Sequence, residues 1–303
     1  MPYSALANPG ATAKVLAEHG LFTRKSLGQH FLVDDNVVGK ILALAALSGD
    51  EPVLEVGPGI GTLTVALCRS VGTLVAVERD ERLLPVLAEA MAGCERVRIV
   101  RGDAVRVPID MLETPLGPPV ALVANLPYAV AATVVLRFFE ELPSLRTAVV
   151  MVQSEVADRM FAIPGTKQYG AYTVKLRLHA EPTGRFSVSR TCFLPPPRVD
   201  SAVVRLDRVG SGYPDELKVT AAHLADAAFA QRRKTLRNSL TSALGADPES
   251  VDRTLSAARI DGGRRAETLS VEEFVQLALQ ATRCRLLANG TTAELNASPP
   301  PDP

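Results

Sequence analysis

The chain has 303 residues, 47% of them hydrophobic, which is enough for one full α/β domain and a small second domain. Lys plus Arg and Asp plus Glu are each 33, so a global attraction to polyanions is excluded and any nucleic-acid contact must come from local patches. No opening stretch joins a basic region to a long apolar run, and no later segment stays apolar long enough to span a bilayer, so a soluble, cytoplasmic chain without membrane contact is expected.

In chain order, residues 1–22 are small and mixed and are expected to form a partly ordered N-terminal extension. Spaced apolar residues from Val33 to Leu47, behind Asp34, Asp35 and Asn36 as caps, predict a helix. Short apolar runs follow at Pro52–Val56, Thr73–Val77, Val97–Val100, Val120–Ala124 and Thr147–Val152, separated by stretches with helical periodicity. Strands so apolar along their whole length suit a mostly parallel sheet covered by helices on both faces, so the fold class expected is α/β and doubly wound, Rossmann-like. Alternation at Val174–Leu178 and Ala202–Leu206 predicts two further strands that close the sheet edge, with the stiff Pro195-Pro196-Pro197 between them.

A turn-rich break around Val209–Pro214 marks the expected domain boundary. Beyond it, Leu217–Ala230, Thr235–Leu244, Ser250–Ala258 and Val271–Thr282 predict a small all-helical domain, and the polar, proline-rich end predicts a disordered tail. The expected organisation is an extension at 1–22, a sheet domain at 23–208, a helical domain at 209–285 and a tail at 286–303.

Cys68, Cys94, Cys192 and Cys284 make no C-x-x-C pair, so neither a zinc cage nor a disulfide is expected, and the thiols read as buried or idle. His19, His30, His179 and His223 lack the close spacing of metal ligands on one helix face, and no metal site is expected. The N-x-S/T matches at Asn289 and Asn296 read as chance.

Glu55-Val56-Gly57-Pro58-Gly59-Ile60-Gly61 runs from an apolar strand through a glycine turn into a helix, the place where a doubly wound sheet binds ligands. An acid beside the glycines repels a pyrophosphate and suits a cationic or zwitterionic ligand. A dinucleotide fingerprint puts its third glycine at Thr62, whereas here it falls one residue early, at Gly61. The E-x-G-x-G-x-G order resembles the class I methyltransferases, which use S-adenosylmethionine. Glu78, ending the second strand, stands where a carboxylate takes hydrogen bonds from both ribose hydroxyls, and Asp103, after the third, stands where these enzymes hold the adenine amine. The glycine loop alone is equally a tight structural turn; the two acids in register make that reading the weaker one.

The fourth strand ends in Asn125-Leu126-Pro127-Tyr128. An adenine amine is a poor nucleophile because its lone pair is delocalised into the ring, so accepting its two N–H bonds draws the nitrogen towards sp³ geometry. The Asn125 side chain offers one acceptor and the Leu126 carbonyl a second, held in an extended turn by Pro127. Tyr128 can stack on the base, an interaction worth about 1–3 kcal/mol. In isolation the tetrapeptide is more often a capped turn with a buried Tyr. In-line alignment of amine, methyl and sulfur then supplies most of the catalysis, with no general base required.

These residues, with Lys25-Ser26-Leu27-Gly28-Gln29-His30-Phe31-Leu32, the segment from Phe193 through Pro195-Pro196-Pro197-Arg198-Val199-Asp200-Ser201 to Val204, and Phe229-Ala230-Gln231-Arg232-Arg233-Lys234-Thr235-Leu236-Arg237-Asn238, resemble the KsgA (RsmA) family of small-subunit ribosomal RNA adenine dimethyltransferases. The resemblance implies a class I methyltransferase sheet followed by a helical domain, with S-adenosylmethionine as methyl donor. It implies that His30 and Leu32 contact the donor beside Glu55, Gly57, Gly59, Gly61, Glu78, Asp103 and Asn125, and that Phe193 clamps the target adenine against Tyr128. The implied reaction is two methyl transfers to each of two adjacent adenines near the 3′ end of small-subunit (16S) rRNA within the small subunit or its precursor, by a monomer with a role in subunit biogenesis. His30 stands where Asn is frequent, Ala129 where Asn commonly follows the Tyr, and Thr133 where Pro is common; none of the three removes a group assigned to donor or base.

Arg232, Arg233, Lys234 and Arg237 follow one another without an acid, at the start of a predicted helix. Such a run is as often a solvated helix face as an RNA contact; beside a base-modifying site it reads as a phosphate-binding patch, which Arg24, Lys25, Arg264 and Arg265 extend. Three alternatives stand against this reading: a large-subunit rRNA adenine dimethyltransferase of the macrolide-resistance type, a non-catalytic RNA-binding assembly factor on the same fold, and, last, a nicotinamide oxidoreductase.

Overall fold

In the computed structural model of the chain, the described residues are 2–21, 29–210 and 212–286. Segment 22–28, with Arg24 and Lys25, and the expected tail with Asn289 and Asn296 lie outside them. Two compact units divide the chain, one drawn from 1–158 and 179–209, the other from 159–178 and 210–303.

The first unit opens with a helix absent from the sequence reading, α1 (Pro9–Glu18), which follows Asn8; the Asn8 side chain accepts from the Gly10 and Ala11 amides, and Pro9 fills the first helical position. A two-residue strand, β1 (Phe31–Leu32), leads into α2 (Asp35–Ala45), capped by Asp34 as expected. The doubly wound core then runs β2 (Pro52–Val56), α3 (Thr62–Cys68), β3 (Thr73–Glu78), α4 (Leu84–Ala90), β4 (Val97–Arg101), β5 (Ala121–Asn125), α5 (Ala131–Glu141) and β6 (Thr147–Gln153), with α6 (Ser154–Met160) after it.

Next comes α7 (Ala171–Arg177), followed by β7 (Ala180–Val188), β8 (Phe193–Leu194) and β9 (Ser201–Arg208). The seven-stranded sheet has the order β4-β3-β2-β5-β6-β9-β7, parallel from β4 to β6 and antiparallel where β9 joins β6 and β7. Every residue of β2 is buried, as are the first four of β5 and the middle five of β6, which is the burial their apolar runs require. Because the chain winds outward from β2 to β4 and then returns to place β5 on the other side of β2, the strand order reverses between β2 and β5. That reversal opens a crevice at the carboxyl ends of these two strands.

Two strand expectations need correction. Val174–Leu178 is helical, within and just after α7, and its Val174 and Leu178 are buried in the core of the second unit with Leu224, Leu240 and Phe274. Alternation over five residues of a short, broadly buried helix imitates a strand. The additional strand beside β9 is instead β7, whose Pro182 and Gly184 bracket a register shift. Pro is tolerated there because β7 is the sheet edge and the missing N–H faces no neighbour.

The second unit joins α7 to α8 (Asp215–Phe229), α9 (Leu236–Leu244), α10 (Pro248–Ala257) and α11 (Val271–Arg283). Phe229 packs edge-on to Tyr169 and stacks on Phe274, each at 6.0 Å between centroids, and Tyr169 Oη donates to the Leu269 carbonyl. The division therefore differs from the expected cut near residue 209 in one respect: residues 159–178 belong with the later helices.

The thiols also need correction. Cys68, the last residue of α3, and Cys94, in the turn after α4, are joined in a disulfide with Cα atoms 6.8 Å apart. Cys192 is half-buried and Cys284 exposed. Among the described residues no group of His, Cys, Asp and Glu could hold a metal, and no helix is long and apolar enough to cross a membrane.

Candidate active site

The crevice between β2 and β5 holds a cavity of about 160 Å³. Its wall includes His30, Leu32, Glu55, Gly57, Gly59, Glu78, Asp103 and the tetrapeptide Asn125–Tyr128. Of the expected site residues in this unit, Gly61 and Phe193 are not on the wall.

The glycine turn is dictated by backbone geometry. Gly57 and Gly59 have φ of 68° and 63°, in the left-handed region that side chains disfavour. A Cβ on Gly57 would stand 3.2 Å from Pro127 Cδ, and one on Gly59 would stand 3.2 Å from Phe31 Cε1. The loop therefore lies directly against the Asn125–Tyr128 turn on one side and β1 on the other. Gly61, at φ 91°, is the residue before α3 and serves the turn rather than the cavity.

Glu78 is buried, and its two oxygens accept from the Gly59 amide at 3.1 Å and the Asp80 amide at 2.7 Å. Burial raises its pKa, opposed by those hydrogen bonds. The same carboxylate thus ties the end of β3 to the glycine turn, with lone pairs left over for a ligand. Asp80, two residues on, was missed in the sequence: Arg82 holds its carboxyl down at about 2, and Gln29 Nε2 donates to it at 2.8 Å. Asp103 accepts from the Val105 amide and pairs with Arg79 at 3.2 Å.

Glu55 is 1% exposed, with no hydrogen-bond partner on its Oε2. Burial pushes its pKa up to about 8, and the nearby Glu78 charge adds to the shift. A carboxyl at this wall with an unsatisfied oxygen is suited to a positively charged group.

Asn125 ends β5 in register with Met151, and Leu126 continues that pairing by donating its amide to the Met151 carbonyl at 3.1 Å. Asn125 Nδ2 donates to the His30 carbonyl at 3.3 Å, which turns the side-chain oxygen away as an acceptor. Among the described residues no donor meets Asn125 Oδ1 or the Leu126 carbonyl, the two acceptors that an exocyclic amine requires. Tyr128 Oη lies 2.6 Å from Ser201 Oγ, and its ring stacks on the His30 imidazole with centroids 5.6 Å apart and planes 25° from parallel. His30 Nδ1 in turn donates to the Pro195 carbonyl at 2.8 Å.

Phe193, the expected clamp partner of Tyr128, is buried and does not line the cavity. It pairs with Leu32 in the short β1–β8 ladder and is 2% exposed, in the apolar cluster that contains Leu32, Val38 and Val203. The ring that meets Tyr128 is His30. What the ladder does is bring the segment around His30 and the segment after Phe193 side by side, although they are far apart in sequence.

Arg232, Arg233 and Lys234 sit in the turn between α8 and α9, and Arg237 lies in the first turn of α9, which Thr235 caps. Arg232 pairs with Glu267 at 3.5 Å and donates to the Lys167 carbonyl, and Arg237 makes a two-point contact with Asp252 at 2.6 and 2.9 Å. Arg264 is tied to Glu273. Arg233, Lys234 and Arg265 are exposed.

A doubly wound sheet, a glycine turn at its switch point, acids at successive strand ends and a polar-aromatic tetrapeptide on the next strand define a class I methyltransferase. The chain matches the family of ribosomal RNA adenine dimethylases over residues 21–282, and it belongs to that family. It is similar to the ribosomal RNA small subunit methyltransferase A of Geobacillus thermodenitrificans, 41% identical over 90% of this chain and 95% of the relative. Its similarity to the protein of the same name from Rhodococcus opacus is 45% over 91% and 94%. In structure it resembles a Plasmodium falciparum dimethyladenosine transferase, with a TM-score of 0.69 at 23% identity over 85% of this chain and 99% of that one, which bears on the fold alone. The 23S rRNA methyltransferase ErmE matches with a TM-score of 0.60 and 27% identity over 82% of this chain and 98% of that one.

Proposed function

We propose that the chain transfers methyl groups from S-adenosylmethionine to the N6 amine of two adjacent adenines near the 3′ end of small-subunit rRNA, giving N6,N6-dimethyladenosine during small-subunit biogenesis. The observation that carries this reading is the pair of open acceptors, Asn125 Oδ1 and the Leu126 carbonyl, on the wall of the cavity that the glycine turn also lines. The methyl donor fits that cavity: Glu55 Oε2 is an unsatisfied buried oxygen for a cationic ligand, and Glu78 keeps free lone pairs for ribose hydroxyls. When bound, the donor supplies an electrophilic methyl group on a sulfonium leaving group.

The remaining work falls to the chain's own residues. Asp103, on the cavity wall, takes the adenine amine of the donor. Asn125 Oδ1 and the Leu126 carbonyl accept the two N–H bonds of the target amine, localising its lone pair, while Pro127, its ring against Gly57, holds that carbonyl in an extended turn. Tyr128, on the cavity wall, stacks on the target base, which must leave its own stack to reach the cavity. After transfer the extra proton passes to water. In the second unit, Arg233 and Lys234 are the cations proposed for phosphate contact, with Arg232 and Arg237 held by Glu267 and Asp252 in the free protein.

The test is to incubate the protein and methyl-labelled donor with unmethylated small subunits and to search the nucleosides for N6,N6-dimethyladenosine by mass spectrometry. Product on large-subunit RNA in place of small subunits would overturn the substrate in favour of the macrolide-resistance type. The 41% and 45% identities to small-subunit methyltransferases, against 27% to ErmE, favour the first reading.

A further inference from the structure

Tyr128 lies just beyond β5, outside any regular element, yet its ring is held from two directions. The His30 imidazole stacks on it, and Ser201 Oγ meets its hydroxyl at 2.6 Å. Both supports trace to one segment: the Pro195 carbonyl fixes His30, and Ser201 closes the same stretch six residues later.

Ser201 is fully buried, at 0% exposure, as the first residue of β9. Its backbone is anchored on both sides, opposite Gln153 of β6 and Val188 of β7. The residues that follow, Ala202, Val203 and Val204, are apolar and buried, so packing alone has no need of a hydroxyl at this position. Among the described residues Tyr128 is the side chain's one hydrogen-bonding partner. A buried hydroxyl on a rigid strand with a single aromatic partner is a fixed point from which the ring's tilt is set.

We propose that Ser201 is a positioning residue for methyl transfer, holding the Tyr128 ring at the angle from which a stacked base presents its amine to Asn125. This inference rests on the reading of Asn125–Tyr128 as the reaction centre. Without Ser201, the Tyr128 hydroxyl loses its partner in a half-buried setting and the ring turns to find water, taking the stacking face with it. A displacement of about 1 Å at a reacting group is enough for a loss of about 100-fold.

The experiment compares Ser201→Ala, Tyr128→Phe, the double variant and Tyr128→Ala in the full chain, using labelled S-adenosylmethionine and unmethylated small subunits. Donor binding is measured separately by calorimetry. Ser201→Ala is expected to lower kcat at least about tenfold, with donor Kd and the KM for subunits within about twofold of the parent. Adding Tyr128→Phe to it is expected to cost little more, because the hydrogen bond that the second change would remove is already gone. A parent kcat in Ser201→Ala overturns the inference, and so does a double variant whose loss is the product of the two single losses. Should Ser201→Ala fail to bind donor, Tyr128→Phe alone decides: a several-fold lower kcat with intact donor binding supports the inference, and a parent kcat overturns it. Tyr128→Ala separates the two levels. Unchanged turnover there overturns the reaction centre itself, whereas its loss beside an unaffected Ser201→Ala overturns only the role of Ser201.

Discussion

Asn125 is placed by three things at once: the register of β5 with Met151, the donation of its amide nitrogen to the His30 carbonyl, and the Pro127 ring packed against Gly57. Replacing it by Ala removes an acceptor that matters only as the amine rehybridises. The expected result is a fall in kcat of roughly 10²–10³, by analogy with deletion of one preorganised hydrogen bond, with donor affinity only partly reduced because Glu78 and Asp103 remain. Single-turnover rates and donor calorimetry on Asn125→Ala check both halves. Glu55 acts on stability. Its folded pKa of about 8 lies above the ordinary 4.5, so the folded protein retains a proton that the unfolded chain has released between those values. The Glu55 contribution is therefore fully present below about pH 4.5, declines as pH rises and is gone above about pH 8. Glu55→Gln removes the dependence, so melting curves from pH 5 to 9, run without donor, should show the variant gaining on the parent as pH rises, by on the order of a few kcal/mol at the alkaline end. Parallel curves would refute it. At this scale the sequence showed which residue types to look for, since a carboxyl beside glycines and an Asn before Pro-Tyr carry chemistry in their composition. It did not show the Tyr128 partners, because His30 and Ser201 reach the ring through the β1–β8 ladder and β9, contacts that no local pattern encodes. For the same reason Phe193 read as a stacking ring and is a core residue.

Among the elements, the glycine turn is the one with least room for change. Gly57→Ala puts a Cβ 3.2 Å from Pro127 and a side chain at φ 68°, a conformation that costs a residue with a Cβ about 1–2 kcal/mol. The expectation is a matching loss of thermal stability together with a donor affinity reduced at least about tenfold, since the loop must shift away from the turn it abuts. An unaltered donor Kd by calorimetry would show the close approach to be incidental. Strands β2, β5 and β6 were legible because strands buried on both faces must be apolar throughout, and helices α9 to α11 because their caps and periodicity agree. The elements that escaped each have a physical reason. In α7, burial in a helical core overrides an alternating pattern; β7 contains Pro182 and Gly184, which read as a turn and are tolerated at an edge; α1 is a run of small residues whose helix begins at Asn8-Pro9. The Cys68–Cys94 pair was invisible because a separation of 26 residues carries no information about how α3 and the turn after α4 approach each other.

For the whole molecule, a chain with 33 acidic and 33 basic residues depends on where its charges are left unpaired. Four cations at the α8–α9 junction looked equivalent in sequence, but Arg232 and Arg237 are paired with Glu267 and Asp252, whereas no ion pair holds Arg233 or Lys234 among the described residues. Removing Arg233 and Lys234 together should weaken subunit binding and flatten the slope of log K against log salt by about 1 to 2, whereas Arg237→Ala should do less. Filter binding across a salt series measures both, and an equal effect of the two variants would show that the ion pairs do not matter. The division of the chain into units carries a separate expectation. A fragment ending at Val209 retains α7 but loses the helices that cover Val174 and Leu178, so it should aggregate or bind a hydrophobic dye rather than behave as an independent methyltransferase domain. A monodisperse, cooperatively melting fragment would contradict this. The same interleaving bears on how such a chain can be rearranged. Because the path enters the second unit at 159, returns at 179 to complete the sheet and leaves again after 209, that unit cannot be gained, lost or exchanged as a terminal cassette. A recombination event that moved it would need matched breakpoints on both sides of β7 and β9, so the two units are expected to have diversified together.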